Sequence, residues 1–226
     1  MGERERKARE RRRHVVGGPS LRVDTQKKTI YARELDRPDV QKRRLEFVRG
    51  QLKLITGRLV FLDESGFRLG TPPSYGWAPI GDKAPGKATH GAWKTMTMIG
   101  AIALNGWRGF MTLQAATDRE VFRAYVQQLL APNLQHGDVV VMDNLAAHKD
   151  AESLAAIRRA GAEVLFLPPY SPDLNPIEKA WAKLKDILRR AATLTREAFD
   201  AAVAAAMDQI STDDIRAWTE HAGYAV

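Results

Sequence analysis

The chain has 226 residues, a formal net charge of +8, 44% hydrophobic residues and 27% charged residues. This balance is typical of a folded protein with a substantial core and excludes a largely disordered chain. Cysteine is absent, which excludes disulfides, thiolate zinc sites and a cysteine nucleophile, so any metal must bind through oxygen or nitrogen. The sequence has no apolar run of membrane-spanning length and no signal peptide, so we predict a cytoplasmic protein.

The positive charge is concentrated at the N-terminus. The first fifty residues hold 16 Lys and Arg against 8 Asp and Glu, whereas the remaining residues hold 19 of each. Clustered cations attract polyphosphates whatever the fold. Residues 1–26, which include Arg11, Arg12 and Arg13, are therefore either a nucleic-acid contact or a solvated, disordered tail.

A linker and a helix are predicted over residues 27–57, with the helix beginning near Pro38 or Asp39. The next run, Arg58–Phe67, is mostly apolar, is bracketed by glycines and contains Asp63 near its end. Such a run is typical of a buried strand that ends in a carboxylate.

A hairpin and a helix are predicted next. Asn-Gly at 105–106 separates the apolar runs Lys94–Leu104 and Gly109–Ala115, which indicates two antiparallel strands. The pattern Thr117–Glu120 resembles a capping box, and the apolar residues after it recur at helical spacing until Pro132.

The C-terminal half alternates strands and helices. A strand–helix–strand pattern, typical of a parallel crossover, covers Asp138–Met142, Ala151–Ala160 and Glu163–Leu167. Asn175 and Pro176 open another helix, and alanine-rich helices continue to the C-terminus. Together these elements predict a mixed α/β sheet of the ribonuclease-H type, flanked by helices, over residues 58–226.

Three carboxylates stand at chemically suggestive places. Asp63 and Asp143 each follow an apolar run, and Glu178 lies in the first turn of a predicted helix. Each alone is explained by turn or helix capping. If the three meet at one sheet edge, their hard oxygens suit Mg²⁺ or Mn²⁺, two of which about 3.5–4 Å apart support phosphoryl displacement.

Other site chemistries find little support. The five histidines show no zinc-ligand spacing, and no glycine-rich phosphate loop is present. His148 lies five residues after Asp143, where it could contact a phosphate or move a proton. The general exposure of loops favours a surface histidine.

Four motifs carry a resemblance to a known family: Val60–Phe67 (VFLDESGF), Gly76–Gly81 (GWAPIG), Val141–His148 (VMDNLAAH) and Leu167–Glu178 (LPPYSPDLNPIE). Together they resemble the DDE transposases of the mariner superfamily, in its bacterial insertion-sequence branch. The 34 residues between Asp143 and Glu178 match the spacing of that family's second and third acids.

The resemblance implies that Asp63, Asp143 and Glu178 form the catalytic, metal-binding triad of a ribonuclease-H-like domain. It implies two Mg²⁺ ions, with Mn²⁺ as a substitute. The resemblance further implies that water would attack the DNA first, that the freed 3′-hydroxyl would attack next, and that the target is a TA dinucleotide. The implied partners are transposon-end DNA, target DNA and a second copy of the chain, and no membrane is involved. The implied location is the bacterial nucleoid.

Further DNA contacts follow from the resemblance less directly. Asn144 and His148 flank the second aspartate as in relatives, and Trp77 lies in a loop that resembles the family's clamp region. Trp77 could equally anchor a long loop by packing. The basic residues Arg11 to Arg13 complete the predicted DNA-binding set.

The sequence also departs from the family. Relatives carry paired helix-turn-helix modules upstream of the catalytic domain, whereas this chain offers about 26 arginine-rich residues there. A frameshifted second reading frame and a decayed gene are two explanations. The alternative functions are a truncated, non-catalytic DNA-binding or inhibitory partner of an intact transposase, and a nuclease acting on RNA hybrids.

Overall fold

The structure is a computed structural model that describes residues 33–51, 56–73, 78–79, 82–83 and 94–226. The predicted tail with Arg11, Arg12 and Arg13, and the predicted clamp residue Trp77, lie outside the described residues. Within these ranges, no helix is both long and apolar enough to cross a membrane.

A five-stranded mixed sheet forms the centre of the fold, in the order β3-β2-β1-β4-β5. Its antiparallel half consists of β1 to β3, and β4 and β5 run parallel to β1. This is the mixed arrangement that the sequence predicts. The strands are β1 (Leu59–Arg68), β2 (Thr95–Ala103), β3 (Gly106–Leu113), β4 (Val139–Met142) and β5 (Glu163–Phe166).

Six α-helices flank the sheet in the described part of the chain. The predicted first helix is present from Pro38, and the crossover helix lies between β4 and β5 as predicted. The helices are α1 (Pro38–Gln51), α2 (Arg119–Tyr125), α3 (Ala151–Arg159), α4 (Ile177–Ala191), α5 (Arg196–Met207) and α6 (Thr212–His221).

The sheet is buried on both faces. Side chains alternate along a strand, so Leu59 and Phe61 face one side of β1, whereas Val60 and Leu62 face the other. The first side packs against α4, α5 and α6, and the second packs against α2 and α3. Two apolar cores therefore sandwich β1, which is why its sequence is continuously apolar before Asp63.

Two sequence predictions about strand ends need correction. The predicted strand over Arg58–Phe67 is present as β1, but Asp63 lies near its middle and not at its end, because the later residues still pair with β2 after pairing with β4 has ended at Phe61. The hairpin turn consists of Leu104 and Asn105, and Gly106 already pairs with β2 at a φ of 119°, which favours glycine.

The predicted capping box before α2 is wrong by one residue. Asp118, not Thr117, is the N-cap, and its carboxylate accepts a hydrogen bond of 2.8 Å from the Val121 amide. A carboxylate also interacts favourably with the positive end of the helix. The regular α-helix ends at Tyr125 and not at Pro132, because a π-helical turn over Val126–Leu130 follows it.

The C-terminal segment contacts the loop that precedes α4. The Tyr224 hydroxyl donates a 2.9 Å hydrogen bond to the Leu174 carbonyl, and its ring packs edge-on against Phe61 with centroids 4.9 Å apart. Tyr224 is buried. Tyr224 therefore belongs to the core on the α4 side of the sheet.

Substituting Tyr224→Phe should lower the free energy of unfolding by about 1 kcal/mol, since the buried Leu174 carbonyl loses this donor while the ring packing stays. Urea denaturation measures the change. Tyr170→Phe is the matched control because Tyr170 is 46% exposed. Equal stability of the two variants would contradict the importance of this hydrogen bond.

Candidate active site

Strand register places Asp63 and Asp143 next to each other. β1 and β4 pair in parallel from Leu59 opposite Val139 to Phe61 opposite Val141. Each aspartate lies two residues beyond that last pair. The two aspartates therefore lie at the same level of the sheet, on neighbouring strands that are about 4.8 Å apart.

Glu178 reaches the same place from α4. The Asn175 side chain does not cap the helix but donates a 3.2 Å hydrogen bond to the Leu62 carbonyl, one residue before Asp63. The N-cap is Pro176, which makes no side-chain capping hydrogen bond and has no backbone N–H, so Glu178 cannot play its alternative role of bonding back to the N-cap amide. Asn175 thus ties the start of α4 to β1 beside the first aspartate.

The three acids line one open pocket of about 470 Å³, together with the exposed residue Asn144 and residues of the Leu167–Asn175 loop. Within the described ranges, no three acid or histidine side chains are close enough to enclose a single ion. The pocket is thus not a closed protein cage. Its donors are hard carboxylate oxygens, and such a set suits a cation that also keeps water or substrate oxygens.

Asp63 and Glu178 have raised pKa values, and the charges of neighbouring acids contribute to both shifts. Burial, and then the charges of Glu178 and Asp143, raise the pKa of Asp63 from 3.8 to about 7. Burial also raises the pKa of Glu178, and the nearby Lys185 opposes this shift. A bound cation would relieve the cost of charging these groups together.

Trp181 of α4 forms a hydrogen bond with Asp63. Its indole nitrogen donates a 3.1 Å hydrogen bond to Asp63 Oδ2. The indole fits because Gly100, directly opposite Asp63 on β2, has no side chain. A Cβ at Gly100 would lie 2.9 Å from the Trp181 ring and about as close to Trp107 and Phe110.

His148 is buried, so the expectation of a surface histidine is wrong. Its Nδ1 lies 2.6 Å from Asp143 Oδ1 and its Nε2 lies 3.3 Å from Glu64 Oε1. Burial opposes the charged imidazolium, but the hydrogen bonds to Asp143 and Glu64 outweigh it and raise the pKa of His148 to about 9. The side chain has no exposed surface, so a direct DNA contact would require it to move.

Sequence reasoning missed several neighbours of the triad. Lys185 is half-buried on α4, and its charge interacts with those of Glu178 and Asp63, although burial lowers its pKa overall. The available signal was its spacing of seven residues from Glu178, which places both on one helix face. Trp181 and Glu64 carried no comparable signal, because their contacts are long-range in sequence.

Substituting Gly100→Ala should destabilise the chain by about 1–3 kcal/mol, because the added methyl overpacks the Trp181 ring. The tryptophan near-ultraviolet circular dichroism should change with it. Gly66→Ala on β1 is the matched strand control, since a Cβ there meets its nearest atom at 4.0 Å. A Gly100→Ala variant as stable as the control would contradict the tight contact.

In metal-free buffer, Asp63→Asn should stabilise the chain increasingly as the pH rises. The folded chain binds the Asp63 proton more tightly than the unfolded chain, so ionisation costs stability between about pH 4 and pH 7. The asparagine variant avoids this cost. Urea unfolding of both proteins across this window measures the difference, which should stay flat for the exposed control Asp208→Asn.

Solved structures of Mos1 transposase share this fold. The Mos1 paired-end complex with left transposon end has a TM-score of 0.72 at 15% identity, over 88% of this chain and 63% of that chain. The paired-end complex with Mg gives 0.67 at 19% identity, over 88% and 65%. The catalytic domain with Raltegravir and Mn gives 0.64 at 16% identity, over 84% and 94%.

These likenesses confirm the predicted ribonuclease-H-like fold, and this chain spans less than two thirds of the Mos1 chain in the two paired-end complexes. No curated protein sequence matches the chain. The family model of the DDE superfamily endonuclease matches residues 58–200, which is more than half of the chain and includes Asp63, Asp143 and Glu178. The chain therefore belongs to the DDE superfamily endonuclease family.

Proposed function

We propose that this chain is the catalytic domain of a DNA transposase of the mariner superfamily, in its bacterial insertion-sequence branch, that cleaves DNA strands and joins them at TA targets. The supporting observation is the shared pocket of Asp63, Asp143 and Glu178. These acids come from β1, the end of β4 and α4, all within the segment that matches the endonuclease family.

The three acids would hold divalent cations, Mg²⁺ or Mn²⁺, in a two-ion arrangement. The raised pKa of Asp63 and the carboxylate-only donor set support this assignment, as do the Mos1 structures with Mg and with Mn. When bound, such ions supply Lewis-acid activation of the attacking hydroxyl and stabilisation of the leaving oxygen. The Trp181 indole donates a hydrogen bond to Asp63, and His148 Nδ1 lies 2.6 Å from Asp143 Oδ1.

The proposed substrate is double-stranded DNA, at the transposon ends and at the target. The Mos1 structures of a paired-end complex with left transposon end and of a strand transfer complex support this choice. Asn144 lies exposed on the pocket rim, and Lys185 places a cation beside two of the acids, where a phosphate could bind. Trp77 and Arg11 to Arg13 remain predicted contacts, and a homodimer on DNA remains the predicted assembly.

The decisive experiment compares the wild type with Asp143→Asn in nicking and strand transfer of supercoiled plasmid with Mg²⁺ or Mn²⁺. The substitution removes a ligand charge with little change in volume. Activity should fall by more than about a hundredfold, because even outer-shell partners of a metal are worth about 10–100-fold. Asp208→Asn, at an exposed position at the end of α5, should retain wild-type activity.

Each other outcome has a definite meaning. Equal activity of wild type and Asp143→Asn would overturn the DDE mechanism. An inactive wild type that still binds DNA would favour the alternative, a truncated DNA-binding or inhibitory partner of an intact transposase.

A further inference from the structure

Two adjacent acids on β1 face opposite sides of the sheet. Asp63 contacts Trp181 on the α4 side. Glu64, the next residue, contacts His148, whose ring packs against Phe122 of α2 on the other side, with centroids 4.4 Å apart. Strand alternation therefore separates Glu64 from the shared pocket, and Glu64 does not line it.

His148 connects that second side to the pocket. One ring nitrogen lies 3.3 Å from Glu64 Oε1 and the other lies 2.6 Å from Asp143 Oδ1. The imidazole has no exposed surface, the Glu64 side chain is 21% exposed, and the Asp143 side chain is 40% exposed. The three groups thus form a continuous polar chain that runs from the α2 side of the sheet to a carboxylate open to the pocket.

The contacts of Asp143 are directional. The Leu145 amide, at 3.2 Å, and His148 both approach the same oxygen, Oδ1. Two donors on one oxygen fix the orientation of the carboxylate plane and leave Oδ2 available to bind a cation. Local capping of the turn needs only the Leu145 contact, so it does not account for a buried imidazole bonded on both sides.

We propose that Glu64 and His148 are positioning residues that hold Asp143 in the orientation required to bind a divalent cation. Glu64 orients the imidazole, and the imidazole orients the carboxylate. The inference rests on the proposed function, since it takes Asp143 as a metal ligand. Hydrogen-bonded partners behind a ligand are typically worth about 10–100-fold in metal affinity, because they fix its geometry before the metal arrives.

The test is Mn²⁺ binding to the full chain without DNA. The electron paramagnetic resonance signal of free Mn²⁺ measures how much of the ion is bound. Glu64→Ala should weaken Mn²⁺ binding by about tenfold. Glu64→Gln keeps an acceptor oxygen at the same reach and should restore most of the affinity. Glu220→Ala, at an exposed position on α6, is the matched control and should bind like the wild type.

A double-mutant cycle shows whether Glu64 acts through the histidine. His148→Asn keeps a donor near the position of Nδ1 but loses the link to Glu64. In that background Glu64→Ala should cause no further loss of Mn²⁺ affinity, whereas independent effects would add. Thermal unfolding in EDTA separates folding defects from affinity, because a merely structural role would lower the midpoint without this non-additivity.

The outcomes distinguish the two proposals. If Asp143→Asn abolishes Mn²⁺ binding while Glu64→Ala binds like the Glu220→Ala control, the positioning role is overturned and the proposed function stands. Fully additive losses in the double variant would also overturn it. If Asp143→Asn leaves Mn²⁺ binding unchanged, the metal assignment fails, and the proposed function fails with it.

Discussion

The parallel pairing of β1 with β4 is the constraint on which the site depends. Three paired positions, from Leu59 opposite Val139 to Phe61 opposite Val141, set the relative level of two carboxylates that are 80 residues apart in sequence. A shift of one residue would send one of them to the opposite face of the sheet. The apolar cores on both faces prevent such a shift, because it would expose large buried side chains.

Bringing carboxylates together has an electrostatic cost that the surrounding residues manage separately for each acid. Asp63 has an indole donor, Asp143 has an amide and an imidazole, and Glu178 has Lys185 on the same face of α4. None of these neighbours removes the cost of charging Asp63, whose pKa is raised by burial and then by the charges of Glu178 and Asp143. The protein therefore folds with these acids in place, and their negative charge is only partly compensated.

Local patterns in the sequence predicted the fold because they depend on short-range physics. Apolar runs gave the five strands, and helical spacing gave the flanking helices, with errors of a few residues at their ends. The convergence of Asp63, Asp143 and Glu178 was predictable from strand ends and from the resemblance of motifs. The burial of His148 was not, because it depends on Phe122 and Glu64, which come from distant parts of the chain.

Other misses have the same origin. The general exposure of loop residues predicts that His148 is exposed, whereas the sheet and α2 cover it. The partnership of Trp181 with Gly100 depends on an antiparallel register that no local window contains. The capping error at Thr117 is different, since Asp118 competes for the same role with a charged acceptor.

The loop before α4 is held by segments from outside the part of the chain that matches the endonuclease family. Arg44 of α1 forms two hydrogen bonds, of 2.9 and 2.7 Å, with the Asp173 carboxylate, and Tyr224 bonds the Leu174 carbonyl. Both anchors lie beyond residues 58–200. A fragment cut at those boundaries would retain all three acids but lose two of the contacts that fix the start of α4, the helix that carries Glu178. The smallest unit that preserves the site is therefore larger than the segment that matches the family.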